Sequence, residues 1–134
     1  MGVRTRWVWL LCLLACGCGK QKSTDELLQD LKSDNDRDRT IAVRTLPRRK
    51  GDAAKVVPGL IEALKSNDSG LRLGAAIGLG GYGEQARDAI PALQEAARRD
   101  RDRRVREAAG IALSRIDPSK FQAPEPGKPR PQGQ

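Results

Sequence analysis

Few side chains in this sequence are suited to catalysis or to metal binding. The 134 residues include no histidine, so the commonest general base and the commonest metal ligand are both absent. The cysteines Cys12, Cys16 and Cys18 all lie near the N-terminus, which leaves no thiol for a nucleophile, a zinc site or a disulfide in the rest of the chain. Carboxylates are common, but their positions suit helix caps and solvated surfaces. We therefore expect no catalytic residues, no metal site and no cofactor.

A glycine-rich stretch at residues 78–83 has the superficial appearance of a phosphate-binding loop. Such loops follow a strand and lead into a helix, and the P-loop type also contains a lysine. Here a helical pattern precedes the glycines and no lysine follows them. The stretch is therefore interpreted as a glycine-rich helix end and turn. The spacing of Gly70, Gly74 and Gly78 predicts that another helix packs closely at this point.

Arginine is the residue with the most suggestive placement. Arg39, Arg72 and Arg106 recur at a roughly constant interval, and they would form either a structural ladder of hydrogen bonds or a row of cations for a phosphate or carboxylate. A denser cluster spans residues 98–106 and supplies a candidate partner surface, formed by Arg98, Arg99, Arg101, Arg103 and Arg104. Three roles are open for this cluster: solvation and helix capping, contact with an acidic protein or membrane, and contact with nucleic acid. Interleaved aspartates and the lack of stacking aromatics argue against nucleic acid, which we consider an improbable partner.

The elements that would position these arginines repeat along the chain. Residues 71–79 have a close copy at residues 105–113 and a worn copy at residues 38–46. A helix cap precedes each copy, at Asn35, Asp68 and Asp102. Another helix precedes each cap: the first opens with a capping box at Ser23, and the other two are expected to begin at Val57-Pro58 and Ile90-Pro91.

The middle copy is apolar on two faces. Leu71, Ala75 and Leu79 share one face, and Leu73 and Ile77 share the other, which predicts a helix that is covered on both sides. The glycines from Gly80 onward are expected to end it.

Two helices in about 33–34 residues, repeated three times, indicate a helical solenoid. The shared positions resemble HEAT repeats, specifically the short bacterial kind called PBS-lyase HEAT-like repeats. The resemblance covers residues 24–117 and is weakest in the first unit, where Asp38 replaces an apolar residue and Asn35 an acid. It implies an all-α, right-handed α-solenoid of about three two-helix repeats, at residues 24–55, 56–88 and 89–117. It also implies that each ladder arginine bonds to a turn acid or carbonyl of a neighbouring unit.

Residues 1–15 have the pattern of a signal peptide: two arginines, then a short apolar run that is too short to span a bilayer. The run ends in Leu13, Leu14 and Ala15 before Cys16, which resembles the lipobox of bacterial lipoproteins. The resemblance implies a lipid on Cys16, with Cys18 as the second choice, and a short tether at residues 16–23. An ordinary cleaved signal and a mistaken start codon are the alternatives. Residues 118–134 are rich in proline and are expected to form a disordered tail.

These features together predict a non-catalytic protein-interaction scaffold, anchored by lipid at a bacterial membrane in the cell envelope. The expected partner is a protein, which would bind either a concave face of successive second helices or the arginine-rich edge. The rival interpretation is an accessory subunit of an enzyme or chromophore-handling complex. A cytosolic polyanion-binding module is a third, if the leader is not a signal. Homo-oligomers that extend the stack are also expected for so short an array.

Overall fold

A computed structural model describes residues 21–121, which fold into six α-helices without a strand in that range. The helices are α1 (Thr24–Asp30), α2 (Asp36–Thr45), α3 (Ala53–Ala63), α4 (Ser69–Tyr82), α5 (Ile90–Arg99) and α6 (Arg103–Ile116). Short 3-10 segments at Leu46–Arg48, Lys50–Asp52 and Gly83–Ala89 connect successive pairs. The predicted leader, the lipidation candidates Cys16 and Cys18, and the tail from residue 122 onward lie outside the described residues.

The second helix of each pair begins at the cap that the sequence predicted. Asn35 Oδ1 accepts a hydrogen bond from the Arg37 amide at 3.0 Å, Asp68 Oδ1 accepts from the Gly70 amide at 2.7 Å, and Asp102 Oδ1 accepts from the Arg104 amide at 2.9 Å. Caps of this kind stabilise a helix by about 1 kcal/mol each. At α1, Ser23 and Glu26 form the predicted capping box.

The helices form three consecutive antiparallel pairs, and the second helices lie side by side. α4 occupies the middle, where it packs against α2 on one side and α6 on the other. This arrangement is the all-α solenoid of two-helix units that the repeat predicts.

The core is a single aliphatic cluster that runs through all three units. Its largest fully buried side chains come from every pair: Leu27, Leu46, Leu60, Leu79, Leu93, Val56 and Ile116. Burying an aliphatic side chain of this size contributes about 1.5–3 kcal/mol. On α6, Val105, Ala109 and Ile116 lie on one inward stripe at helical spacing and are fully buried.

Glycines let the second helices approach closely. A Cβ on Gly74 would lie 2.8 Å from Val43 Cγ1, and a Cβ on Gly78 would lie 2.7 Å from Pro47 Cγ. The predicted close packing is thus confirmed at these two positions, whereas Gly70 is near only its own cap, Asp68. Gly80, which the spacing did not single out, makes the tightest backbone approach, because its Cβ would lie 2.9 Å from Ala112 Cα.

Two predicted helix boundaries are wrong. α3 begins at Ala53 rather than at Val57-Pro58, so Pro58 lies inside the helix and the helix starts ahead of the unit boundary expected at residue 56. Ala53, Ala54 and Lys55 are good helix formers, and Val56 is fully buried, which favours the earlier start. α4 continues through Gly80 to Tyr82, because those glycines pack against neighbours, and it ends at Gly83 with a φ of 56°.

The predicted position of α4 between two neighbours is observed, but the prediction that its Leu73 and Ile77 face is buried is wrong. Leu71, Ala75 and Leu79 are buried, but Ile77 is 56% exposed and Leu73 is only half-buried. The reason is geometric: α4 has helices on its two flanks and the first helices beneath it, while nothing in residues 21–121 covers its fourth side.

Candidate interaction surfaces

The middle arginine of the ladder joins the second and third units. Arg72 Nε and Nη2 donate to the two carboxylate oxygens of Asp100, at 2.8 and 2.9 Å. Its Nη1 donates to the carbonyls of Ser66 and Asn67 in the turn of its own unit. Both side chains of the ion pair are largely buried. The Arg72 guanidinium therefore holds the pKa of Asp100 below its ordinary value, and the carboxylate in turn raises the pKa of Arg72.

The outer two arginines repeat only part of this pattern. Arg39 Nη1 donates to the Ser33 carbonyl at 2.6 Å, and its Nη2 reaches Asp68 of the next unit at 4.0 Å. Arg106 Nη1 donates to the Asp100 carbonyl at 2.8 Å within its own turn. For the ladder arginines, the carbonyl bonds therefore lie inside each unit, and only carboxylates of a neighbouring unit are reached. The expectation that each ladder arginine bonds to a neighbouring unit is met by Arg72, approached by Arg39 and not met by Arg106.

The arginine cluster at residues 98–106 is partly neutralised by its neighbours. Arg99, Arg103 and Arg104 pair with Glu95, Glu107 and Asp102 at 3.3, 2.7 and 2.9 Å. The bond from Arg104 lowers the pKa of Asp102. Within residues 21–121, the side chains of Arg98 and Arg101 are exposed and have no carboxylate partner. The predicted partner surface is thus split between the end of α5, the turn and the first turn of α6.

A different surface emerges along the uncovered side of the second helices. We call it the second-helix face and define it by Leu73, Ile77, Ile111, Arg44, Arg104 and Arg115. Ile77 is 56% and Ile111 42% exposed, which is unusual for isoleucine. Sequence reasoning placed Ile77 in a buried face and did not single out Ile111. A signal was available, because the two isoleucines occupy the same position in successive repeats.

Ile77 stands between two grooves. The groove between α2 and α4 has a volume of about 340 Å³, and Thr40, Arg44, Leu73 and Ile77 are among the residues that line it. The groove between α4 and α6 has a volume of about 290 Å³. The residues that line it include Ile77 of α4 and Arg104, Ala108, Ile111 and Arg115 of α6. The charged lining residues are Arg39, Arg44 and Asp68 in the first groove, and Arg104, Arg115 and Glu107 in the second. Apolar floors with this excess of cations suit a segment that carries both apolar and acidic side chains.

The cations at the rim are available to a ligand. Arg44 and Arg115 are exposed and lie in the last turns of α2 and α6, where a cation interacts favourably with the helix dipole. Neither has a carboxylate partner among residues 21–121. The second-helix face therefore combines apolar area with unpaired positive charge.

Tyr82 fixes the neighbouring connection in place. Its hydroxyl donates to the carbonyl of Leu46 at 2.9 Å and lies 3.1 Å from that of Arg49, and Lys50 Nζ lies 4.5 Å above its ring. Burial raises the pKa of Tyr82. We interpret this group as structural, since its polar atoms are satisfied within the fold.

The largest groove lies elsewhere, between α1 and α3. It has a volume of about 640 Å³, with an apolar floor that includes Leu28 and Leu31 and a rim that carries Lys32, Asp34, Lys55 and Glu62, among others. The rim charges are of both signs and balance one another, so they favour no particular ligand charge. Across residues 21–121, no helix is long and apolar enough to cross a membrane, and no group of acids is placed to hold a metal ion.

Comparison with known families agrees with this architecture. The family model described as HEAT repeats matches residues 24–114. Because the match covers more than half of the chain, the chain belongs to the HEAT-repeat family. Members of this family are generally non-catalytic scaffolds for protein interactions. No curated protein matches the chain in sequence.

Proposed function

We propose that this chain is a non-catalytic scaffold whose second-helix face binds an acidic, amphipathic segment of a partner protein. The observation that carries the proposal is the exposure of Ile77 and Ile111 on a face with unpaired arginines at its rim. A solvated helix face would not retain isoleucine at the same position of two successive repeats. Exposed apolar residues surrounded by polar ones are typical of protein–protein contact sites.

The chemistry of the partner follows from the face. An amphipathic helix docks by placing apolar side chains at helical spacing into a groove, and here two grooves flank Ile77. Acidic side chains on the partner would meet Arg44, Arg104 and Arg115. Charge complementarity of this kind mainly accelerates association and excludes partners of the wrong charge.

The proposal is tested by binding of a defined probe. A synthetic helical peptide with leucines at i, i+3, i+4 and i+7 and glutamates elsewhere is compared with the same peptide carrying lysines in place of the glutamates. We expect the acidic peptide to bind at least about tenfold more tightly, and its affinity to fall by at least about tenfold in Ile77→Asp and Ile111→Asp. Glu95→Lys, on the exposed side of α5, is the control and should leave the affinity unchanged. Equal binding of both peptides, or equal binding by Ile77→Asp, would reject the proposal.

We further propose that a lipid on Cys16, or on Cys18, holds the scaffold at a bacterial membrane. The leader pattern of residues 1–15 supports this proposal, and both cysteines lie outside the described residues. The protein should partition into the membrane fraction and into detergent, and Cys16→Ser should release it. If Cys16→Ser combined with Cys18→Ser stayed in the membrane fraction, the anchor would be wrong, although the second-helix face would be unaffected.

A further inference from the structure

At each end of the solenoid, one repeat position lacks the neighbouring unit that its equivalents pack against. Ile41, Gly74 and Ala108 occupy one position of the repeat. In the second unit this position faces the preceding unit, because a Cβ on Gly74 would lie 2.8 Å from Val43. In the third unit Ala108 likewise borders the groove shared with Ala76 of α4. Ile41 has no preceding unit within residues 21–121, and it is 53% exposed.

A complementary space lies at the opposite end. Val43, Ala76 and Gly110 occupy the repeat position that faces the following unit. Nothing lies within 4 Å of a Cβ built on Gly110, so the third unit has an open position where the first has a valine.

Side-chain sizes compensate at each junction. Between the first and second units Val43 packs on Gly74, and between the second and third units Ala76 and Ala108 line the same groove. A junction between the third unit and a second copy would place Ile41 of that copy over Gly110. The large residue would then belong to the following unit and the small one to the preceding unit, with about the same total volume.

The segment that leads into α2 and the segment that leads into α6 carry opposite charge. Residues 24–38 contain six carboxylates and two cations, whereas residues 98–106 contain six arginines and two aspartates. Asp25 and Glu26 in α1, and Asp36 and Asp38 in α2, favour the helix dipole. Arg103 and Arg104 in the first turn of α6 oppose it. Their pairs with Glu107 and Asp102 offset part of this cost.

The last ladder arginine points to the same junction. Arg72 reaches the turn of the following unit through Asp100, and Arg39 approaches Asp68 of its following unit. Arg106 occupies the same repeat position but has no following unit, and it has no carboxylate partner within residues 21–121. In the first unit, Ser33 and Asn35 occupy the positions of Asp100 and Asp68, and two exposed carboxylates, Asp34 and Asp36, lie beside them. Asp36 also pairs with Arg39 of its own unit.

We propose that copies of this chain associate head to tail, with the α6 end of one copy against the α2 end of the next. Ile41 of the second copy covers Gly110, and Asp34 and Asp36 of the second copy face Arg103 and Arg106. A head-to-tail contact of this type leaves one end of each kind free, so it propagates into longer stacks. The contact uses the ends of the solenoid and does not depend on the second-helix face.

Two single substitutions, each blocking one end, test this arrangement. Ile41→Asp blocks the acidic end and Gly110→Glu blocks the basic end, and both positions are open within the monomer. Full chains are studied by sedimentation velocity at low salt under reducing conditions, up to about 0.5 mM, where weak complexes are detectable. The native chain should form dimers and larger stacks. Each variant alone should associate at least about tenfold more weakly, while an equimolar mixture should form a 1:1 dimer that grows no further.

Ile77→Asp provides the matched control, since it makes the same change at an equally exposed isoleucine of the second-helix face. It should associate like the native chain. Circular dichroism establishes that each variant is folded, and Arg103→Glu blocks the same end should Gly110→Glu not fold. The proposal is overturned if the native chain remains monomeric across the concentration range. It is also overturned if the two blocked variants fail to pair, or if Ile77→Asp prevents association equally.

Discussion

At the residue scale, the ion pair of Arg72 and Asp100 is the strongest polar link between units. It is bidentate, largely buried and supported by carbonyls of the adjacent turn. Charge-assisted bonds of this geometry contribute more than ordinary hydrogen bonds, at about 1.5–3 kcal/mol. The pair thus fixes the third unit against the second, which keeps Ile77 and Ile111 in register on the second-helix face.

This ion pair predicts sensitivity to acid. The folded protein holds the pKa of Asp100 below its ordinary value, and those of Asp102 and Asp117 are lowered as well. The unfolded chain therefore takes up protons first as the pH falls below about 4. Stability from these groups is complete above that pH and is lost as the pH falls through the lower, folded-state values.

Asp100→Asn isolates the contribution of one carboxylate. At neutral pH the free energy of unfolding should fall by about 1.5–3 kcal/mol, because a charge-assisted pair is lost. The decline of stability below pH 4 should also become shallower than in the native chain. Urea denaturation measured between pH 3 and pH 7 provides both quantities. An unchanged acid dependence would show that the pair contributes little to folding.

At the element scale, the packing of α4 against α6 depends on Gly80, because a Cβ added there would overlap the backbone of Ala112. Gly110 lies on α6 with open space around it. The two glycines therefore form a matched pair for the same substitution.

Gly80→Ala should lower the free energy of unfolding by about 1–3 kcal/mol, since a backbone neighbour at 2.9 Å cannot move aside cheaply. Gly110→Ala should raise it by up to about 1 kcal/mol, because alanine is the better helix former and meets no neighbour. Thermal or urea denaturation of the two variants gives the comparison. A stabilised Gly80→Ala would contradict the close approach of the two helices.

The helix boundaries show which parts of the fold could be predicted from the sequence alone. The caps at Asn35, Asp68 and Asp102 and the α6 stripe were predictable, because both depend on local spacing. The start of α3 was not, since a proline in a helix interior is normally disfavoured and Val57-Pro58 resembled a helix start. The end of α4 was missed for a similar reason: Gly80 serves tertiary packing rather than termination.

At the scale of the whole molecule, the repeat predicts the stack but not which side of it stays open. Hydrophobicity alone placed Ile77 inside, because a helix that is apolar on two faces is normally buried on both. Within residues 21–121, the three units provide neighbours for the flanks and the underside of α4 but none for its outer side. The exposure of Ile77 therefore became visible only once the packing of α2 and α6 around α4 was known.

The whole molecule also separates two kinds of contact. Ile77 and Ile111 lie on the second-helix face, whereas Ile41 and Gly110 lie at the two ends of the stack. A partner and a second copy would thus bind at once without competing. Stacking would place second-helix faces side by side, so that a multivalent partner gains affinity without any new type of contact.

Site-specific photocrosslinking in native membranes tests the central claim, that the second-helix face binds an acidic partner segment, most directly. A photoreactive residue is placed at position 77, at position 111 or, as the control, at position 95 on the exposed side of α5. We predict that positions 77 and 111 crosslink to the same partner, at an acidic amphipathic segment, and that position 95 does not. Equal crosslinking from position 95, or a crosslinked segment without acidic residues, would contradict the account.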